Sequence, residues 1–283
     1  MEKRNGLRRI DWAVMLGCAG MALMTFGAVG EAGRGRAKEA VCQANLHRWG
    51  DVFGGIVEEN DGRFLSGATV RGYWWPIQLS QELQDWKRNR TWFCPTATVP
   101  MVDEKGALSP GSSIFNAWGI YYTTRVIYEG QIFYMTPNGI AGSYSLNGYV
   151  IPIPDQIGKT VNTYEGGVPA ADGWRNLLDI PEASRVPMFL DAMRFDIWPL
   201  HTDAPAPTDA AWAAGNHMAK CCINRHDGAV NCLFVDGSVR KVGLKELWTL
   251  KWHRSFNTAG SWTKAGGVSP EDWPAWIRPF KEH

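Results

Sequence analysis

The sequence predicts an α+β protein. A long amino-terminal helix, transmembrane at first and then a stem, is followed by a mainly antiparallel β-sheet head. Three observations predict it. Residues 12–30, WAVMLGCAGMALMTFGAVG, carry no charge, and they approach the roughly 20 apolar residues that a helix needs to cross hydrocarbon. Beyond them Val41, Leu46, Trp49, Phe53, Ile56 and Val57 keep the spacing of one helical face. Past Gly62 that period fades, and short runs rich in aromatic and β-branched residues alternate with turn formers.

Lys3, Arg4, Arg8 and Arg9 stand before or at the start of the apolar run, so the positive-inside rule keeps that end in the cytoplasm and sends the bulk of the chain across. The expectation is a single-pass inner-membrane protein, in contact with the lipid bilayer through residues 12–30. A cleaved secretory signal, with small residues near Ala28 to Ala32 as its cleavage site, is the rival reading of the same segment. Asn60-Asp61-Gly62 supplies the stop signal of the stem. An unbroken rod to that point is about 75 Å long at 1.5 Å per residue. The chain divides into a basic leader (1–6), a transmembrane helix (7–31), a helical stem (32–61) and an exported head (62–283).

In the head, a short helix is expected within 81–90. Strands are expected in 117–128, 131–135, 142–151 and 187–191, with loops at 151–173 and 201–208. The stretch RHDGAVNCLFVDGSVRKV (225–242) contains two Asp-Gly pairs, each a strong hairpin signal between apolar alternations. Residues 219–243 therefore read as a three-stranded antiparallel meander. His226 and Asp236 stand at opposite ends of its middle strand, about 20–25 Å apart when extended, and cannot share one metal ion.

The His226-X9-Asp236-Gly237 spacing resembles the H-X9-DG domain associated with prepilin-type processing. Cys42-Gln-Ala-Asn-Leu, Trp92-Phe-Cys-Pro, Ser143-Tyr-Ser-Leu-Asn-Gly-Tyr and Leu247-Trp-Thr-Leu-Lys-Trp are similar to blocks that such proteins carry in this order. The amino end resembles type IV prepilins and type II secretion pseudopilins: a short basic leader ends at Gly6, Leu7 stands first in the mature chain, and Asp11 falls at its fifth position. The resemblance implies cleavage after Gly6 and methylation at Leu7. It also implies a pilin-like structural subunit, anchored in the inner membrane with its head in the periplasm or outside the cell. Its partners would be other pilin-like subunits of a type II secretion or type IV pilus-like assembly, and its role would not be enzymatic.

Composition bears on the alternatives. Lys+Arg of 29 against Asp+Glu of 28 leaves a net charge of +1, which gives no electrostatic footprint for nucleic acid. The 15 Trp fit an aromatic core, or else a sugar-stacking or protein-binding face. The rival function is thus a membrane-anchored Trp-rich module that binds glycans or peptides, or a hydrolase with an exported head. No nucleophile elbow, His-Glu-x-x-His or phosphate loop is present in the sequence, so no catalytic residue and no cofactor are assigned. Outside the cytoplasm, cysteines pair. Cys42 with Cys94 is the preferred bridge, fastening head to stem, and Cys221 with Cys232 depends on the strand register. Zinc on Cys221, Cys222, Cys232 and His226 is disfavoured because adjacent cysteines point to opposite faces of a strand. Asp191, Asp196 and Asp203 lie in an acid-rich, loop-rich region and are weak candidates for calcium.

Overall fold

The computed structural model describes residues 9–64, 75–102, 107, 113–121, 126–128, 131–133, 139–152, 163–208 and 215–283. Within the first helix it describes side chains from Gly30 onward. The leader, with Gly6 and Leu7, and the side chain of Asp11 lie outside the described residues.

Helix α1 (Arg9–Glu59) runs for 51 residues. It stops where Asn60-Asp61-Gly62 predicts. Asp61 and Gly62 adopt φ of 53° and 83°, and Gly62 N donates to Val57 O at 2.9 Å, a left-handed cap that satisfies an orphan carbonyl of the last turn. The transmembrane expectation is corrected. Among the described residues no helix is long and apolar enough to cross a membrane. From Gly30 the helix carries Glu31, Arg34, Arg36 and Lys38 at exposed positions, and its apolar residues form one stripe rather than a full circumference. The single-pass inner-membrane placement is withdrawn with it.

That stripe docks on the head. Cys42, Asn45, Leu46, Trp49, Phe53 and Val57 are buried, at i, i+3, i+4, i+7, i+11 and i+15, the spacing of one helix face. At Gly50 a Cβ atom would stand 3.1 Å from Leu233 Cδ1, so the glycine marks where helix and sheet approach closely. Lys241 Nζ reaches Glu39 at 3.1 Å, and Gln43 Nε2 donates to Asn231 Oδ1 at 3.0 Å.

Among the described residues ten strands follow: β1 (Val99–Pro100), β2 (Asn116–Tyr121), β3 (Val126–Tyr128), β4 (Gln131–Phe133), β5 (Ile140–Gly142), β6 (Tyr144–Asn147), β7 (Pro187–Asp191), β8 (Asp196–Ile197), β9 (Ala229–Phe234) and β10 (Val239–Gly243). Two short helices, α2 (Gln81–Gln84) and α3 (His217–Cys221), interrupt them. The main sheet has the order β10-β9-β7-β6-β8. It is mixed, because β6 pairs antiparallel with β7 but parallel with β8. The smaller β1-β2-β5 sheet also begins with a parallel pair. The expected mainly antiparallel pilin-like head is therefore corrected to an α+β fold with a mixed sheet.

The meander is half right. β9 and β10 form the predicted hairpin, but the expected first strand is absent: its start lies in helix α3, capped by the Asn216 side chain, which accepts from Ala219 N at 2.8 Å, and residues 222–225 belong to no strand. The other neighbour of β9 is the distant β7. A capping Asn before a helical turn outweighed the apolar alternation.

Tryptophan supplies the core. Trp49, Trp75, Trp92, Trp118, Trp248, Trp252 and Trp273 are essentially inaccessible. Trp49 sits 4.7 Å from Trp92 and 5.4 Å from Phe189, ring centre to ring centre. Indole N–H groups pin loops to this core. Trp49 donates to Thr91 O, Trp75 to Phe195 O, Trp118 to Tyr144 O and Trp252 to Leu247 O, at 2.9 to 3.2 Å. Each bond satisfies the one donor that burial would otherwise penalise. Among the described residues the exposed large hydrophobics are Val41, Val99, Phe115 and Leu178, with no tryptophan.

Candidate metal centre

Four buried side chains from four separate elements converge between stem and head. Cys42 opens the docked stripe of α1. Cys94 lies in the Phe93-Cys94-Pro95 loop, held by its own N–H donating to Ser143 Oγ at 2.5 Å. Asp191 ends β7. His226 precedes a tight turn in which Asp227 and Gly228 both adopt positive φ, 50° and 74°. At Gly228 a Cβ would fall 2.5 Å from Phe280 Cδ1, so the turn takes only glycine there.

One ligand-type atom from each side chain lies within 4.8 Å of all the others. His226 Nε2 is 3.1 Å from Asp191 Oδ2 and 3.3 Å from Cys94 Sγ. Cys42 Sγ is 3.6 Å from the same Asp191 oxygen. Around them stands a polar shell. Tyr144 OH donates to Cys42 Sγ at 3.3 Å, Thr96 Oγ1 lies 2.9 Å from Cys94 Sγ, and Asn231 N donates to Asp191 Oδ2 at 3.0 Å. Asp191 Oδ1 is buried and makes no hydrogen bond; it faces Arg225 Nη1 at 3.5 Å.

Arg225 is itself buried, its guanidinium donating to Ile114 O, Ser143 O and Asn116 O at 2.6, 2.7 and 2.8 Å. Burial works against the Asp191 carboxylate, yet His226 and Arg225 together hold its pKa below the ordinary value. Burial likewise works against a charged His226, but Asp191 outweighs it and pushes the imidazole up to about 10. Burial raises the Cys42 thiol well above normal.

A Cys-His-Asp set invites comparison with a catalytic relay, and the geometry speaks against one. In a relay the nucleophile and the carboxylate bond to different ring nitrogens, so that one nitrogen takes the proton while the other is oriented. Here Cys94 and Asp191 both approach Nε2. All four atoms crowd within 4.8 Å of one another, which suits a set of ligands better than a proton path.

The site brings some predicted residues together and separates others. Cys42 and Cys94 meet as expected, but as free thiols and not as a disulfide. Cys221 and Cys232 are also free and buried; one sits on α3 and the other on β9, so they do not occupy adjacent strands. The four-residue set Cys221, Cys222, Cys232 and His226 does not form, because His226 belongs to the Cys42 and Cys94 cluster.

Asp191, Asp196 and Asp203, the calcium candidates, serve three different networks. Asp196 lies 3.3 Å from Arg194 Nε, with burial raising its pKa to about 8. Asp203 Oδ2 accepts from Leu200 N and Met218 N. The motif also divides: His226 enters the cluster, while Asp236 caps its own loop by accepting from Ser238 N and Oγ. Gly237, at φ 81°, turns the chain there. The nine intervening positions are β9 and its flanking turns.

Sequence reasoning missed Asp191 as a partner of His226 and gave Arg225 no role. Neither carries a local signal, since the pairing arises only when β7 and β9 lie side by side.

His253 stands apart, buried between Tyr149 and Phe256 at ring distances of 4.6 and 5.4 Å. Burial lowers its pKa to about 4, against about 6.5 in an unfolded chain. Between these values the unfolded chain binds a proton that the folded one refuses, so stability falls as pH drops from 6.5 to 4. Comparing His253→Phe with the parent by urea unfolding across that window is expected to show the variant losing less, by on the order of 2–3 kcal/mol at pH 4. Parallel pH curves would refute the assignment.

A groove of about 770 Å³ beside α1 is lined by Arg48, Arg88 and Arg90 among others. Its lining includes no carboxylate, thiol or histidine, hence no acid–base pair. Comparison with known protein families, curated proteins and solved structures gave no match.

Proposed function

We propose that the chain is a structural subunit that joins copies of itself or similar chains in a secretion- or pilus-like assembly, with α1 as the packing element. The observation that supports this reading most is the length of α1 against the extent of its docking. A helix of 51 residues is about 77 Å long, yet its buried side chains among the described residues run only from Cys42 to Val57. The stretch ahead of them, Glu31 to Ala40, mixes Glu31, Arg34, Arg36, Lys38 and Glu39, and such alternating charges suit side-by-side packing of like helices. The Trp-rich binding alternative is less favoured because the described tryptophans face the core and not solvent.

The test is the amino terminus of the protein isolated from its own cells, with and without a prepilin peptidase. Leu7 is expected as first residue in the former only. An intact Met1 in both would overturn the prepilin reading.

A further inference from the structure

We propose that Cys42, Cys94, Asp191 and His226 together bind one zinc ion in a closed, structural four-coordinate site that bolts α1 to the head sheet. Zinc–ligand lengths of about 2.0–2.3 Å place tetrahedral ligand atoms about 3.3–3.8 Å apart. Three separations across this cluster, 3.1, 3.3 and 3.6 Å, lie near that scale, and all four ligand atoms fall within 4.8 Å of one another, so an ion enters by drawing the four inward. Two sulfurs, one imidazole nitrogen and one carboxylate oxygen form a borderline-soft set that suits zinc and not calcium or magnesium, which require oxygen ligands.

Charge balance points the same way. Two thiolates and one carboxylate carry three negative charges, and Zn²⁺ leaves a net charge of −1. Arg225, fully buried and 3.5 Å from Asp191 Oδ1, cancels it. On loading, His226 Nε2 and each sulfur that still carries a proton release it to solvent. His226 then binds as the neutral ring, with its remaining proton on Nδ1.

The outer shell is already in place. Tyr144 OH donates to one sulfur and Thr96 Oγ1 lies beside the other; Asn231 N holds the ligating carboxylate oxygen. Such contacts orient ligands and tune the ion. A disulfide would use the two sulfurs alone and leave Asp191 and His226 with no reason to aim at them. All four donors come from protein and all are buried, so the site is structural, not catalytic. The inference does not depend on the assembly proposed above.

Full-length protein purified under reducing conditions without chelator is expected to carry about one zinc per chain by elemental mass spectrometry. After exchange with cobalt(II), it is expected to show the visible bands of tetrahedral cobalt together with thiolate charge transfer. Cys94→Ser and His226→Gln are each expected to abolish the stoichiometric metal, while Cys222→Ala keeps it. The cobalt spectrum of the unmodified protein decides the matter even where a variant fails to fold. Parent protein that takes up neither ion, octahedral cobalt without thiolate bands, or a Cys42–Cys94 bridge found by peptide mapping of anaerobically isolated protein would each overturn the site.

Discussion

Replacing Arg225 with Ala is expected to cost about 3–5 kcal/mol of folding stability, the range for removing one partner of a buried ion pair. The side chain is enclosed in protein, and its loss strands more than the Asp191 carboxylate. Ile114 O, Ser143 O and Asn116 O each lose a donor, and a buried acceptor left without one costs about 1–3 kcal/mol. Asn116 opens β2 of the smaller sheet with Ile114 just ahead of it, and Ser143 links β5 of that sheet to β6 of the main one. Arg225 is thus the strut between the sheets as well as the counter-charge of the cluster.

The companion variant Arg225→Lys separates the two roles. Lysine keeps the charge but presents a point donor where the three carbonyls demand a planar fork, so about half of the loss is expected to remain. Urea unfolding followed by far-UV circular dichroism reads both numbers. A loss below about 1 kcal/mol for Arg225→Ala would show that the strut carries little.

Much of this architecture was legible where the signal is local. The stem ends at Asn60-Asp61-Gly62 because only a left-handed cap fits there. Asp227-Gly228 and Asp236-Gly237 mark turns that positive φ makes glycine-specific, and Pro187–Asp191 is the expected buried strand. What failed was non-local. A charge-free run suggested a membrane helix, but a composition window does not reveal whether the following turns present apolar residues all round or on one face. The stretch at 219–225 showed alternating apolar residues, and the Asn216 cap turned part of it into helix. β9 found β7, nearly forty residues upstream, in place of its neighbour in sequence.

The cluster is the clearest case of partial legibility. The Cys42 and Cys94 approach was predicted from the need to fasten stem to head, and that much held geometrically. The expectation stops at two sulfurs because a disulfide needs only two residues, and in the sequence Asp191 stands among other acids of a loop-rich region. The H-X9-DG spacing also looked like one motif when it joins two unrelated jobs. His226 is a ligand-type side chain at the start of β9, and Asp236-Gly237 is the loop that ends it. A fixed separation of this kind records the length of a strand and says nothing of contact between its ends.

Trp49→Ala is expected to be the most damaging substitution in the stem, at about 3–5 kcal/mol. The indole lies within 4.7–6.1 Å of Phe53, Trp75, Trp92 and Phe189, ring centre to ring centre, and it donates to Thr91 O. Removing it empties the centre of the helix–sheet contact and leaves the part-buried Thr91 carbonyl without its donor. Trp49→Phe retains most of the packing and deletes only that bond, for an expected loss of about 1–2 kcal/mol. Val41→Ala, at a position that is 50% exposed, is expected to fall within about 0.5 kcal/mol of the parent.

Hydrogen exchange distinguishes a weakened core from a detached stem. In the parent, amides of residues 42–57 are expected to exchange together with β7 and β9, as one cooperative unit. In Trp49→Ala they are expected to exchange ahead of the sheet, because an isolated helix gains little stability from its own backbone bonds and this one carries Gly50, Gly54 and Gly55 in its docked half. Simultaneous exchange of stem and sheet in the variant would mean that the helix is held by the Cys42, Cys94, Asp191 and His226 cluster rather than by its aromatic face. That ordering, more than the size of the loss, decides which of the two contacts fastens the stem.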